Sequence, residues 1–402
     1  MTDPNAPPVN LPYVLRLALV STSRSDYGHI KPLFDAAKKD LRFWPTLLTA
    51  ANHTARGSGI AHLEDCSYGC SGVASEEVNL YLQGLKTDVV VVQGDRTELL
   101  GVVEPVVRRG LVLAHCGGGE LTAGSTDDRV RDAITALAHL HYPGTKQATD
   151  RLVTRSGLGV PPWRVLCVGE IGLDEIWNYR PYTGAMDYVD ETMVLFVINP
   201  VTVGTDTWSG AMPEPGKPDP FKSHDDGSTE TKALVQMVVD YVQSLVEGKG
   251  GFALLSEANG DRGGDYINAT FKNLAEAYPV VCRYMGGSHT PTLEQFREIV
   301  HRCGLVVGNS SMCLIEVPVL GKPVILVGTR QQGRPVPNGV GVLDVCAATP
   351  GFIKERIGRG QFCGDVNKGL VRDTTYGDGH ACEKILDHIY KNWNNIGIRG
   401  RA

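Results

Sequence analysis

Short apolar runs alternate along this chain with longer stretches whose apolar residues recur at helical spacing. Val14–Ser21 reads as a buried strand, and His29–Lys38 follows as a helix with Ile30, Leu33 and Ala37 on one side. Asp88–Val92 is a second clear strand, Thr97–Arg108 a helix and Leu111–Ala114 another strand. Asp127–Leu140 reads as a strong helix, with Val130, Ile134, Leu137 and Ala138 forming its apolar stripe. Arg164–Val168 reads as a further strand. The alternation restarts after Tyr188. Met193–Ile198 and Phe252–Leu255 are strands, with the long helix Thr229–Leu245 between them. Leu305–Val307 and Val324–Val327 are strands around a short helix, Ser311–Val317, that Pro318 should end. Val203–Asp226, rich in Gly, Pro and Asp, reads as a long loop. His380–Asn394 closes the pattern as a helix, with Ile385, Leu386, Ile389 and Trp393 on one face.

Strand–helix alternation of this kind predicts an α/β fold with parallel sheets covered on both faces. A chain of 402 residues is too long for one ordinary core. The pattern therefore divides into a leader at 1–13, a first doubly wound lobe at 14–188, a second at 189–375, and a tail at 376–402 whose helix returns to the first lobe.

Composition narrows the function classes. A net charge of −6 gives no footprint for nucleic acid or an anionic membrane, so an anionic ligand would need local basic groups. No apolar run reaches the length of a membrane helix. Met1–Tyr13 lacks the basic head and apolar core of a signal peptide, so the expectation is a cytoplasmic chain with reduced thiols. Cys66 and Cys70 have no second ligand pair nearby and read as plain thiols; no metal and no cofactor is expected.

In doubly wound sheets, ligands bind outside the carboxyl ends of the strands, so the chemistry is sought there. The first strand ends in Ser21-Thr22-Ser23-Arg24-Ser25-Asp26-Tyr27-Gly28, where Arg24 offers a rigid fork of donors; a solvated, capped turn is the plainer alternative. Gln93-Gly94-Asp95-Arg96 sets Asp95 at a strand end, either in a site or as a cap. His115-Cys116-Gly117-Gly118-Gly119-Glu120 is followed by Ser125-Thr126-Asp127-Asp128 and Arg131. Three glycines in a row suit a loop lying against a ligand. Glu120 and the Asp pair supply acid/base candidates, although one Asp serves equally as a helix cap. In the second lobe, Gly308-Asn309-Ser310-Ser311 lies between strand and helix, a place where free N–H groups hold phosphates, with Glu316 further along. The alternative is capping by Ser310 or Ser311. Gly328-Thr329-Arg330-Gln331-Gln332-Gly333-Arg334 is a donor-rich loop that suits an anion. His139 and His141 read as solvated or capping residues at a helix end.

Taken together, TSRSDYGHIKPL, QGDR, HCGGGE with TDDRVRDAITALAH, GNSSMCLIEVP and GTRQQGR resemble the hydrolysing UDP-N-acetylglucosamine 2-epimerases from about Thr22 to Arg334. The resemblance implies two Rossmann-like lobes facing a cleft, as in GT-B glycosyltransferases, with the second lobe carrying UDP. It implies elimination of UDP across C1 and C2 of the sugar, then addition of water to release N-acetylmannosamine. Arg24 is then expected to contact UDP, Ser310 and Ser311 its phosphates, Glu316 the ribose, Arg330 the diphosphate charge, and Asn259 the sugar. Asp95 and Asp127 match acidic catalytic positions, Arg131 a basic one, and His115 a strand-end position of the substrate site. The partner is a UDP-sugar, and a homodimer or higher homo-oligomer is expected.

Two departures stand out. The family's His-Ile-Glu-Gly-Gly-Glu has Cys116-Gly117 in the Ile-Glu places, which removes a carboxylate. Its His-Pro is Asn199-Pro200 here, and a neutral amide bonds phosphate but carries no proton near neutral pH. One carboxylate is extra: Glu170, in Gly169-Glu170-Ile171-Gly172, a candidate base or else a capping or solvated residue. A UDP-sugar glycosyltransferase and a non-catalytic nucleotide-sugar binder are the competing readings.

Overall fold

The computed structural model describes residues 13–22, 24–49, 68–69, 75–122, 128–154, 160–177, 179, 189–201, 228–248, 251–338, 340–343, 345–359 and 373–396. The chain divides into two units. The first comprises Met1–Gly119, Arg129–Asp174 and His380–Ala402; the second comprises Glu120–Asp128 and Glu175–Gly379.

The first unit is built on β1 (Leu15–Ser21), β2 (Phe43–Thr49), β3 (Tyr68–Gly69), β4 (Val89–Gln93), β5 (Val112–Cys116) and β6 (Leu140–Tyr142). They form one sheet in the order β3-β2-β1-β4-β5-β6, all pairs parallel. Alternate residues of each strand face opposite layers. Leu15, Leu17 and Leu19 join Val89, Val91, Val112 and Ala114 under helices Arg24–Lys39 and Ala381–Asn392. Ala18, Val20, Val90, Val92 and Leu113 face the other way, under helices Ser75–Gly84, Leu99–Arg108 and Asp128–Leu137. Burial on both faces explains why these strands read as unbroken apolar runs.

The second unit repeats the plan with β7 (Met193–Val197), β8 (Phe252–Ser256), β9 (Cys282–Met285), β10 (Leu305–Gly308), β11 (Val324–Val327) and β12 (Val340–Leu343). Its order is β12-β11-β10-β7-β8-β9, again parallel throughout. Chain order therefore reverses between β7 and β10 here, and between β1 and β4 in the first unit. Loops diverge at such a switch point and leave a crevice at the strand ends.

Four expectations need correction. The helix expected to run to Leu140 stops at Leu137. The His139 N–H donates to the Leu113 carbonyl at 2.8 Å, and the His139 ring accepts from the Leu113 N–H at 3.1 Å. The β5 edge thus recruits the chain into β6, and His141 is fully buried rather than solvated. Arg164–Val168 is not a strand. Val165 alone bridges to His141, with Leu166 and Val168 N–H groups donating to the carbonyls of His141 and Pro143. Pro143 has no N–H to return, so no regular ladder forms. The expected helix Ser311–Val317 is only Met312–Ile315. The expected loop Val203–Asp226, and Cys66, lie outside the described residues, as does Cys70. Among the described residues no helix is long and apolar enough to cross a membrane.

Candidate functional site

In the second unit the switch-point strands are stitched together by one side chain. Asn309, fully buried just after β10, accepts the Asn199 N–H at 2.7 Å and donates to the Asn199 carbonyl at 2.8 Å. The strands approach closely there: a Cβ on Gly308 would lie 2.4 Å from the Val197 carbonyl oxygen. Asn199 in turn accepts from the Asn259 N–H at 2.9 Å through its side-chain oxygen, which ties the end of β8 to the end of β7. The Asn259 amide donates to Asp261, and Asp261 pairs with Arg330 at 3.4 Å. Arg330 Nε donates to the Pro200 carbonyl at 3.1 Å, which closes the ring back to Asn199.

The loop after β11 is fastened residue by residue. Glu230, in the first turn of helix Thr229–Glu247, accepts from both the N–H and the hydroxyl of Thr329. The Gln331 amide donates to the Asn309 carbonyl at 3.0 Å. Arg334 pairs with the buried carboxylate of Glu120 at 3.2 Å. Four of the seven residues Gly328–Arg334 are thus bonded by side chains or carbonyls from five other segments, and Arg330 is presented in one orientation. Ser310 and Ser311 are half-buried beside this network, and Ser311 makes no side-chain cap bond, so capping does not account for it. Glu316 lies at the carboxyl end of the short helix.

In the first unit, Asp95 follows β4 and forms an ion pair with Arg131 of helix Asp128–Leu137. Arg131 is 2% exposed while Asp95 remains partly open, so the cation is buried and the carboxylate faces outward. His115, expected to meet substrate, is instead fully buried. Its Nε2 donates to the Gly94 carbonyl at 2.8 Å, which leaves Nδ1 to accept from the Thr135 hydroxyl at 3.1 Å. Burial holds its pKa down at about 4, against the pull of the Gly94 bond. It is a neutral brace for the turn that carries Asp95.

The three glycines also have a reason different from ligand approach. A Cβ on Gly118 would meet Thr135 Oγ1 at 2.9 Å, and one on Gly119 the Ala148 carbonyl oxygen at 2.6 Å; Gly117, at φ +78°, and Gly119, at φ +80°, also need the left-handed backbone that favours glycine. Glu170 is 7% exposed, which excludes a solvated turn residue. Its carboxylate acts electrostatically on Cys116, the neighbour of Gly117; burial first and then Glu170 push that thiol well above its ordinary range. Asp128, which the sequence left open as a cap, binds the Thr122 N–H with both oxygens. Asp127 and the Arg24 side chain lie outside what is described. Among the described residues no cluster fit to hold a metal is found.

Glu230 was not legible as a site residue, because a first-turn acid is already explained by its helix. Asn309 and Gln331 stood inside recognisable motifs, but their partners are about a hundred residues away or on another strand.

The sequence model of the UDP-N-acetylglucosamine 2-epimerase family matches residues 70–390. The hydrolysing GDP/UDP-N,N'-diacetylbacillosamine 2-epimerase of Campylobacter jejuni is 25% identical over 264 residues, covering 63% of this chain and 59% of that protein. The hydrolysing UDP-N,N'-diacetylbacillosamine 2-epimerase of Legionella pneumophila is 26% identical over 308 residues, or 74% and 69% of the two chains. In fold, the chain is similar to the UDP-GlcNAc 2-epimerase of Neisseria meningitidis crystallised with UDP-GlcNAc. The TM-score is 0.70 at 12% identity, over 94% of this chain and all of that one.

Proposed function

Since the chain belongs to the UDP-N-acetylglucosamine 2-epimerase family, we propose that it is a hydrolysing 2-epimerase of a UDP-linked 2-acetamido sugar. The family match over residues 70–390 carries this reading. In the reaction a base removes the C2 proton, the C1–O bond breaks with its electron pair leaving on UDP, and a glycal remains. Water then adds, with hydroxyl to C1 and a proton to C2 on the opposite face.

Arg330 is suited to the leaving diphosphate, because a preorganised guanidinium stabilises developing charge without having to reorient. Ser310 and Ser311 supply hydroxyls beside it, Glu316 is assigned to the ribose, Asn259 to the sugar, and Arg24 to UDP. Asn199 is committed to the Asn259 N–H through its oxygen; with no ionisable group it serves as a fixed amide, not a proton carrier. Proton transfer falls to Asp95, Glu120, Asp127 or Glu170, of which Asp95 and Glu120 are each paired with an arginine, Arg131 and Arg334. Glu170 earns its place by burial and by its reach to Cys116, next to the carboxylate-free Gly117.

The test is incubation with UDP-N-acetylglucosamine and, separately, a UDP-2,4-diacetamido sugar of the kind named for the relatives, reading UDP and the free 2-epimeric sugar. Release of both from either substrate is expected. Binding without release, or transfer only when an acceptor is added, would replace this reading with a nucleotide-sugar binder or a glycosyltransferase. Glu170→Gln should slow release by about 10²-fold or more if Glu170 is the base; release at the parent rate removes it from the candidates.

A further inference from the structure

Helix Thr229–Glu247 already has its cap: the Ser228 hydroxyl oxygen accepts the Thr231 N–H at 3.2 Å. Glu230 therefore is not needed there. Its carboxylate instead reaches 99 positions along the chain, taking the Thr329 N–H at 2.5 Å and the Thr329 hydroxyl at 2.6 Å. Gly328 is matched to this grip. It sits at φ +77°, and a Cβ there would lie 2.5 Å from Glu230 Oε1. Only glycine both adopts that turn and lets a carboxylate come so near the main chain. The next residue is Arg330, whose head is held by Pro200 and Asp261. The far side of the loop is held by the bond from Gln331 to Asn309.

We propose that Glu230 is a positioning residue for Arg330: its two-oxygen grip on Thr329 sets the backbone from which Arg330 meets the diphosphate of the nucleotide sugar. The proposal rests on the reading of Arg330 given above. Charge-assisted bonds fix a backbone more firmly than neutral ones, and a guanidinium aimed in advance loses less freedom when the anion arrives. Glu230 touches no substrate in this scheme and acts only through Arg330.

A double-mutant cycle tests it, with UDP as the probe and calorimetry as the readout. Glu230→Ala should weaken UDP binding about tenfold or more. In the Arg330→Ala background the same change should add less than about twofold, because the residue it acts through is gone. Glu230→Gln keeps the shape and one acceptor and should recover part of the loss. If Glu230→Ala does not fold, Glu230→Gln and Thr329→Val carry the same cycle. Parent-like UDP affinity in the Glu230 variants, or a loss that adds in full to Arg330→Ala, would overturn the proposal, since a general structural defect is additive. A parent that binds no UDP, or an Arg330→Ala variant that binds it as tightly as the parent, would instead refute the assignment of Arg330 to the diphosphate, and this proposal falls with it.

Discussion

Asn309 shows how much one buried amide decides. Its side chain satisfies both the N–H and the carbonyl of Asn199, at the point where β7 and β10 diverge. Asn309→Leu keeps the branched outline but leaves both groups orphaned. It should cost about 2–4 kcal/mol, read as a lower urea midpoint at unchanged slope; Asn309→Asp, which keeps the acceptor but sets a buried carboxylate oxygen against the Asn199 carbonyl, should cost at least as much at neutral pH. A leucine variant as stable as the parent would mean water replaces the amide. The histidines of the first sheet give a second residue-scale prediction. Burial holds His115 down at about 4 and His141 down at about 3, whereas an unfolded histidine titrates near 6.5. Below 6.5 the unfolded chain therefore binds more protons than the native one. The stability tied to these neutral rings is full above 6.5 and is lost as pH falls toward 4 and then 3. Among the described residues neither ring nitrogen of His141 has a hydrogen-bond partner. His141→Leu should accordingly be neutral or slightly stabilising at pH 7.5 and should lessen the drop in urea midpoint between pH 7.5 and 5. An equal drop in both proteins would exclude His141 as a contributor.

Among the elements, helix Ala381–Asn392 is instructive because its start is capped from afar. His380 at the cap position makes no side-chain cap bond to this helix. Asp174 supplies the cap instead, accepting the N–H groups of Ala381 at 2.8 Å and Cys382 at 2.7 Å. A carboxylate at a helix N-terminus satisfies orphan donors and opposes the positive end of the dipole. Asp174→Ala should destabilise the first unit by about 1–2 kcal/mol. Hydrogen exchange should then show faster exchange in the first turns of this helix, and protection equal to the parent's would discount the cap. A similar logic holds the start of the second unit, where Arg297 pairs with Glu175 at 2.9 Å and Tyr179 donates to the buried Glu298.

At the scale of the whole molecule, the last helix belongs to the first core. Ile385, Leu386 and Ile389 are buried among Leu15, Leu17, Ile30 and Leu140, although the second unit intervenes in the chain. Burying three such side chains contributes roughly 1.5–3 kcal/mol each, comparable to the net stability of a domain. Truncation after Gly379 should therefore abolish protection of β1 and β5 in hydrogen exchange, while β7 and β10 keep theirs. Retained protection of β1 would mean the first unit folds without its returning helix.

The pattern of apolar runs by itself determined the α/β class and the two parallel sheets, because strands buried on both faces must be continuously apolar and the helices covering them must be striped. It also marked the strand-end segments that carry Asp95, Ser310 and Arg330, since ligands of doubly wound sheets lie outside the carboxyl ends of the strands; Asn199 stood out only against the family's His-Pro. Short or half-polar elements escaped it. Phe43–Thr49 carries a proline, Leu140–Tyr142 continues a helical stripe, and Cys282–Met285 alternates over too few residues to be read. What only the tertiary structure decided is the partnership of groups distant in sequence: Glu230 with Thr329, Asn309 with Asn199, Glu120 with Arg334, Asp174 with Ala381. It also turned His115 from an expected ligand contact into a buried brace and explained Gly118 and Gly119 by packing. Periodicity reports which face of an element is apolar, and that is a local property; which donor meets which acceptor depends on strand order and on the distance between strand ends, and these exist only once the sheet has formed.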